Sequence, residues 1–283
     1  MIDIVEREFS LIEILVKTTY QIVISKEKSF ESTPIAFGSG FFLNYKDNLF
    51  FITADHNIQI EDHKLNERTG KDNFLCVLNN ISDRNTFTTM MTPIGGFYYM
   101  ESFDFSKEDL NPQLIDVAMS LVDRNKFEAP FVTDEDIKDE NGSSFVSPNE
   151  QKFEFIEEHI IEPSKSDTFY IFGKIRPHFK GLFLHRDNTF KIDLLFIDKF
   201  GRYLLLNTKD EILDYEDWAG LSGSPVLNQD GKCIGVLCSV NEGTKSVFVK
   251  PFSEIFPLLD TVILQEKMKK NSITANIGFA SGG

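Results

Sequence analysis

The sequence predicts an all-β fold, a sandwich or barrel built in two parts, with a helix at each end. Three observations predict it. Short runs rich in β-branched and aromatic residues recur along the chain, turn residues separate them, and one acidic stretch divides the series in two. The chain has 283 residues, 41% of them apolar, enough for a sizeable core, and the length gives a prior of about two domains.

Residues 8–17 open the series, with Phe9, Ile12, Leu15 and Val16 on one helical face. Residues 19–24 then read as a strand. Residues 40–43 and 49–53 read as two more, joined through Lys46-Asp47-Asn48, a hairpin signature. Residues 74–78 and 114–122 complete the first part. From Asp134 to Glu162, ten acids face two bases, Lys138 and Lys152, for −8 in 29 residues. That is more than half of the whole chain's net −15. Asn141-Gly142-Ser143-Ser144 and Ser147-Pro148 punctuate this stretch as loop. It reads as a solvated connector with a short helix near residues 152–158, or as a docking site for a basic partner. Strands follow at residues 168–172, 181–184, 189–196 and 202–207. Two more, 225–227 and 233–239, flank the turn Asn228-Gln229-Asp230-Gly231, and 246–249 closes the series. Residues 252–269 return to helical period, with Ile255, Leu258, Leu259, Val262 and Ile263 on one face.

Charge and composition exclude several functions. The balance of 29 Lys+Arg against 44 Asp+Glu argues against a nucleic-acid partner, which needs a clustered basic face, and against an anionic membrane. No run approaches the roughly 18 apolar residues of a membrane span, and the opening Met1-Ile2-Asp3-Ile4-Val5-Glu6-Arg7-Glu8, which carries acids and lacks a basic region followed by an apolar one, is not expected to be a signal peptide. Cys76, Cys233 and Cys238 form no disulfide framework, so a cytoplasmic protein is expected. Cys233 and Cys238, five apart on one strand, are expected on opposite faces as buried free thiols. His63, His159, His178 and His185 show no metal-ligand spacing, and no cofactor fingerprint is present. No metal and no cofactor is therefore expected. The ending Ala280-Ser281-Gly282-Gly283 resembles the processed tail of ubiquitin-like proteins, and reads equally as a frayed end.

Three motifs carry the chemistry. Gly220-Leu221-Ser222-Gly223-Ser224-Pro225-Val226 sets a serine between glycines, which lets the backbone turn tightly and leaves the hydroxyl exposed. Phe51-Ile52-Thr53-Ala54-Asp55-His56 is an apolar strand running into a histidine. Leu114-Ile115-Asp116-Val117-Ala118-Met119-Ser120 sets one acid in a buried run, where it needs a partner such as a histidine N–H.

Together these motifs resemble the trypsin-like (chymotrypsin-fold) serine peptidases, over roughly residues 19–259. The order is His, Asp, Ser. Gly38-Ser39-Gly40-Phe41-Phe42 resembles the Gly-x-Gly-Phe strand of that family. Residues 167–173 resemble the strand that opens its second barrel, and Gly231-Lys232-Cys233-Ile234-Gly235-Val236 the strand after the nucleophile. The likeness is nearest to bacterial, disulfide-free, HtrA-like peptidases. It implies a double six-stranded antiparallel β-barrel, chymotrypsin-like, with the active site in the interbarrel cleft. The first barrel with the N-terminal helix would occupy residues 1–125, the acidic connector 126–163, the second barrel 164–251, and the C-terminal helix and tail 252–283.

The same resemblance implies roles. Ser222 would be the nucleophile, His56 the base that activates it, and Asp116 the group that orients His56. The N–H groups of Gly220 and Ser222 would form the oxyanion hole. Glu216, beside Asp217, would sit at the base of a specificity pocket walled by Ser239, Val240 and Asn241, favouring Arg or Lys before the cut; the other reading of the two acids is that they point to solvent in a polar loop. Leu221 stands where digestive members carry an aspartate that pairs with a freed N-terminus. Activation by propeptide removal is therefore not expected, and a regulatory protein partner or loop ordering would take its place. A serine endopeptidase acting on a protein or peptide substrate follows. The alternatives are a catalytically silent peptide-binding module, and a processing subunit of a bacterial defence or ubiquitin-like conjugation operon.

Overall fold

A computed structural model describes residues 8–26, 34–65, 67–70, 73–83, 86–102, 113–127, 129–180 and 183–280. The opening Met1-Ile2-Asp3-Ile4, Gly181-Leu182 of one expected strand, and Gly282-Gly283 lie outside the described residues.

The first helix, α1 (Leu11–Thr18), starts at a reciprocal cap. The Ser10 hydroxyl accepts from the Glu13 N–H, and the Glu13 carboxylate accepts from the Ser10 N–H, satisfying two helix-end donors at once. This is why the helix begins at Leu11 rather than at residue 8.

Seven antiparallel strands follow: β1 (Tyr20–Ser25), β2 (Ala36–Tyr45), β3 (Asn48–Thr53), β4 (Phe74–Asp83), β5 (Thr86–Ile94), β6 (Phe97–Ser102) and β7 (Gln113–Leu121). The short helix α2 (Ile60–Leu65) lies between β3 and β4. The β2–β3 hairpin turns on Lys46 and Asp47, both at positive φ, as its turn residues predict. The strands hydrogen-bond in the order β5-β4-β1-β2-β3-β7-β6, and one short strand from the connector adds beside β2. Where a first barrel was expected stands an eight-stranded sheet whose ladder, among the described residues, does not close. β5 and β6, neighbours in sequence, turn away from each other at Gly95-Gly96 and become the two ends of the sheet. Phe127 and Phe131 of the connector pack against the aromatic core of this sheet, among Tyr20, Phe42 and Phe51.

The connector departs from its expected solvation. It forms a hairpin, β8 (Ile137–Lys138) with β9 (Ser144–Val146), then β10 (Phe155–Ile156), which pairs parallel with β2. Residues 157–159 make a single 3-10 turn where a helix was expected. The reason is burial. Phe155, Val146 and Thr133 are fully enclosed, so the acids alternate with apolar residues that the core captures. Even Asp134 and Glu135 turn inward. The Lys174 ammonium lies 3.1 Å from Asp134 and 2.7 Å from Glu135, and Asn80 donates to Asp134 at 2.6 Å. Burial pushes the Asp134 carboxyl up, but Lys174 and Asn80 outweigh it and hold the group at about 2.

The second unit does close. β11 (Thr168–Lys180), β12 (Phe183–Phe200), β13 (Tyr203–Asn207), β14 (Pro225–Asn228), β15 (Cys233–Val240) and β16 (Ser246–Pro251) form a six-stranded barrel in the order β11-β12-β13-β16-β15-β14. β11 and β14 seal it at Phe169–Asn228 and Tyr170–Leu227. β11 and β12 run far past the expected strand limits as one long hairpin. Positive φ at Arg176 and Asp193, near shifts of register, had broken the alternation that a strand shows in sequence. Similar irregularities affect β15. Cys233 and Val236 share one core while Ile234 and Leu237 share another, so counting by twos does not assign Cys233 and Cys238 to opposite faces.

The last helix, α3 (Phe252–Ala280), buries Ile255, Leu258, Leu259, Val262 and Ile263, the stripe its sequence predicts. These five join α1, both sheets and Phe155 in one central core. Burying five such side chains contributes on the order of 10 kcal/mol, comparable to a domain's net stability. Among the described residues, no helix is long and apolar enough to cross a membrane.

Candidate active site

β3 delivers His56 to the open sheet's inner end. The strand stops at Thr53, and residues 55–57 make a 3-10 turn that lifts the imidazole off the sheet. β7 lies beside β3 in antiparallel register, Thr53 opposite Ala118, which brings Asp116 alongside the turn. The His56 N–H donates to Asp116 Oδ1 at 3.1 Å, and His56 Nδ1 stands 2.9 Å from each carboxylate oxygen. Main chain and ring are thus held by one side chain, which faces Nδ1 and leaves Nε2 on the outer side.

Electrostatics follow from this placement. Burial pulls the His56 imidazole down, but the Asp116 carboxylate, with Asp55 behind it, raises it above the usual histidine range. Burial pushes the Asp116 carboxyl up, and His56, then His63, outweigh it and lower the group. The Cys238 thiol, enclosed and near Asp116, is driven well up and stays protonated.

The barrel supplies Ser222 on the turn between β13 and β14. Gly220 and Gly223 sit at φ +103° and +89°, backbone that a side chain rarely adopts. A Cβ at Gly220 would also strike the Lys174 carbonyl, and one at Gly223 the Ser39 carbonyl and the Thr53 hydroxyl. The first unit grips this turn directly. The Ser39 N–H donates to the Ser222 carbonyl at 2.9 Å, Asn57 Nδ2 donates to the same oxygen at 2.9 Å, and the Ser39 hydroxyl donates to the Gly220 carbonyl at 2.9 Å. Gly38 leaves room for the Asn57 side chain that makes this bridge. Leu221 turns inward and is fully buried in the barrel core, beneath Gly173.

His56 and Asp116 are therefore in direct contact, and Asn57, next in chain to His56, holds the main chain of Ser222. The Ser222 hydroxyl itself donates to the Cys238 carbonyl at 3.5 Å; among the described residues it has no hydrogen bond to His56. Among the described residues, the N–H groups of Gly220 and Ser222 have no acceptor, whereas Leu221, between them, donates to Trp218. Two unsatisfied donors thus flank the hydroxyl.

Of the two readings of Glu216 and Asp217, the surroundings are those of a polar loop. Glu216 is exposed on the 3-10 turn of residues 215–217, and the Asp217 carboxylate is paired with Arg176. Ser239 and Asn241 are exposed and Val240 half-buried at the end of β15. Ser39, Asn57, Thr53, Cys238 and His63 also adjoin the candidate site; Ser39 and Thr53 lie within the quoted motifs without having been singled out, and the other three lie outside the three motifs that carry the chemistry. The signal for Asn57 was a polar residue directly after His56; for His63 it was a second histidine seven residues on. No three His, Cys, Asp or Glu side chains among the described residues gather as metal ligands.

No family model matches this chain, and no curated protein matches it. Among solved structures, a serine endoprotease from Yersinia pestis is similar at 13% identity and a TM-score of 0.44, covering 91% of this chain and 68% of that one. An overlay that loose fixes neither a family nor an activity.

Proposed function

We propose that this protein is a serine endopeptidase whose nucleophile is Ser222, with His56 as general base and Asp116 orienting it. The observation that carries this reading is the double hold on one turn. The unit that fixes His56 against Asp116 also clamps the Ser222 carbonyl through Ser39 and Asn57. The base and the nucleophile are thereby kept in fixed relation across two units.

The chemistry then follows. A peptide carbonyl enters the cleft with its oxygen toward the Gly220 and Ser222 N–H groups. The Ser222 hydroxyl turns from the Cys238 carbonyl to His56 Nε2 and gives up its proton as Oγ attacks the carbonyl carbon. The oxyanion takes up the two free donors, a contact typically worth about 10²–10³ in rate per donor. His56, now imidazolium and stabilised by Asp116, passes the proton to the leaving amine. Water then repeats the sequence on the acyl-enzyme. No other group is needed for these steps. The three cysteines are buried and unpaired, which suits a reducing compartment and an intracellular protein substrate.

A second reading, a silent peptide-binding module of this fold, is favoured by the Ser222 hydroxyl resting on Cys238 rather than on His56. One experiment separates them. A fluorophosphonate probe should label the wild type covalently, Ser222→Ala not at all, and His56→Ala at least about 10³-fold more slowly. A wild type that stays unlabelled over a broad pH range, while its peptide binding persists, would establish the silent module instead.

A further inference from the structure

A second histidine stands against the first. His63, on α2, places Nε2 3.0 Å from Asp55 Oδ2 and 3.8 Å from Asp116 Oδ1, and its ring centre lies 6.0 Å from that of His56. Asp55 is fully buried on the same 3-10 turn as His56. Its Oδ2 also receives Arg68 Nη2 at 2.6 Å, while its Oδ1 has no hydrogen-bond partner among the described residues. Asp116 thus contacts the His56 ring, Asp55 precedes His56 on the same turn, and the one His63 nitrogen reaches both buried carboxylates.

We propose that His63 is a positioning residue for His56: its Nε2–H, anchored on Asp55 and facing Asp116, sets a positive end between the two carboxylates and tempers the negative charge that the His56 ring meets. The inference deepens the peptidase reading and rests on it for its catalytic meaning. The surrounding charges are few and identifiable. Asp55 and His56 face His63 from the 3-10 turn and Asp116 faces it from β7. Arg68 reaches Asp55 from beyond α2 and also meets Glu101 of β6 at 3.3 Å, with the Tyr99 ring beneath its guanidinium. On α2 itself, Asp62 is turned to Thr69 and Arg68, and Glu61 and Lys64 pair in solvent.

The sign does not depend on whether His63 is charged. In the neutral ring with the proton on Nε2, and in the imidazolium, the positive end points at both carboxylates. Asp116 and Asp55 both favour the protonated form of His56, and a positive end of His63 set against both carboxylates opposes that pull. Removing His63 therefore leaves His56 holding its proton to higher pH. A unit charge about 6 Å away, at an effective dielectric of about 40, displaces a titration by about one pH unit, and a dipole by less.

The test compares wild type, His63→Gln and His63→Phe. Gln keeps a donor for Asp55 without the ring; Phe keeps the ring without a donor. In the Ser222→Ala protein, the His56 imidazole is titrated by NMR. Its midpoint should rise by about half to one pH unit in His63→Phe and by less in His63→Gln. With Ser222 intact, the acid limb of kcat/KM should rise by the same interval, while the plateau above it changes less than about threefold. A His56 midpoint identical in all three proteins overturns the proposal, as does a loss of rate equal at every pH. Should His63→Phe not fold, His63→Gln against wild type decides alone. Because the NMR titration needs no turnover, a shifted midpoint in a protein that the probe never labels sinks the peptidase reading and leaves the positioning of His56 standing.

Discussion

The two units contribute to the same candidate site by different physical means. The open sheet contributes charge: His56, Asp116, Asp55, His63 and Arg68 form a chain of titratable groups, the two carboxylates buried and the cations half-buried. The barrel contributes main chain: two positive-φ glycines, two unsatisfied N–H groups and the Cys238 carbonyl that receives the Ser222 hydroxyl. The difference teaches where each property of the site resides. Its dependence on pH belongs to the sheet, and its dependence on backbone geometry belongs to the barrel. Substitutions in the barrel should therefore act alike at every pH, and those in the sheet should not.

The largest expected effect tests the barrel. Gly223→Ala sets a Cβ against the Ser39 carbonyl at a φ of +89°. The clash falls on the segment of β2 that clamps Ser222, so the two units must part. Turnover should fall at least about 10³-fold, by the same factor at pH 6 and pH 8, with a stability loss of several kcal/mol in urea. A variant that folds normally and loses activity only at low pH would break the division between the units.

Next in size is the joint itself. Lys174 of β11 meets Asp134 and Glu135 of the connector, and Asn80 of β4 bonds Asp134 from the sheet side. Lys174→Met leaves two buried carboxylates without their ammonium and should cost about 3–5 kcal/mol. The sign with pH is fixed. Asp134 is lowered to about 2, so its contribution is complete above the unfolded value near 4 and is lost as pH falls from there toward 2. The gap between wild type and variant in chemical denaturation should therefore be widest above pH 4 and narrow toward pH 2. A gap independent of pH would mean that packing, not charge, holds the joint.

How much of this was legible follows the same division. The glycines and the serine stood out because main-chain chemistry demands specific residues, and Gly220 and Gly223 are where no side chain fits. His56 and Asp116 were legible as polar residues ending or interrupting apolar strands. His63 was not, because its role depends on α2 folding back over the turn, which no local period announces. The connector misled for a related reason. Its net charge spoke for solvent, yet Phe131, Thr133, Val146 and Phe155 interleave the acids, and burial of those four decided its path. β5 and β6 escaped notice because one carries Thr and Met in place of branched apolar residues and the other begins directly after Gly95-Gly96. With both unrecognised, closure of the first unit could not be judged. Glu216 and Asp217 were open to two readings because position in the chain does not fix exposure; Arg176 pairs with the second and solvent meets the first.

The smallest expected effect is also the sharpest test of the contrast. His56 is raised and Asp116 lowered by their pairing. The histidine's share of stability is complete below its unfolded value near 6.5 and is lost as pH rises through its higher folded value. The aspartate's share is complete above about 4 and is lost as pH falls through its lower one. The pair therefore stabilises fully only between about pH 4 and 6.5. Because 28% of the His56 side chain remains exposed, solvent screens the interaction, and about 1 kcal/mol is expected from it. Asp116→Asn should thus lower unfolding free energy more at pH 5.5 than at pH 8.5, by about that amount. Ser222→Ala, which alters the barrel's side of the same candidate site, should shift stability equally at both. If Asp116→Asn also acts equally at both, the charged network contributes geometry alone, and the two units differ less than their chemistry implies.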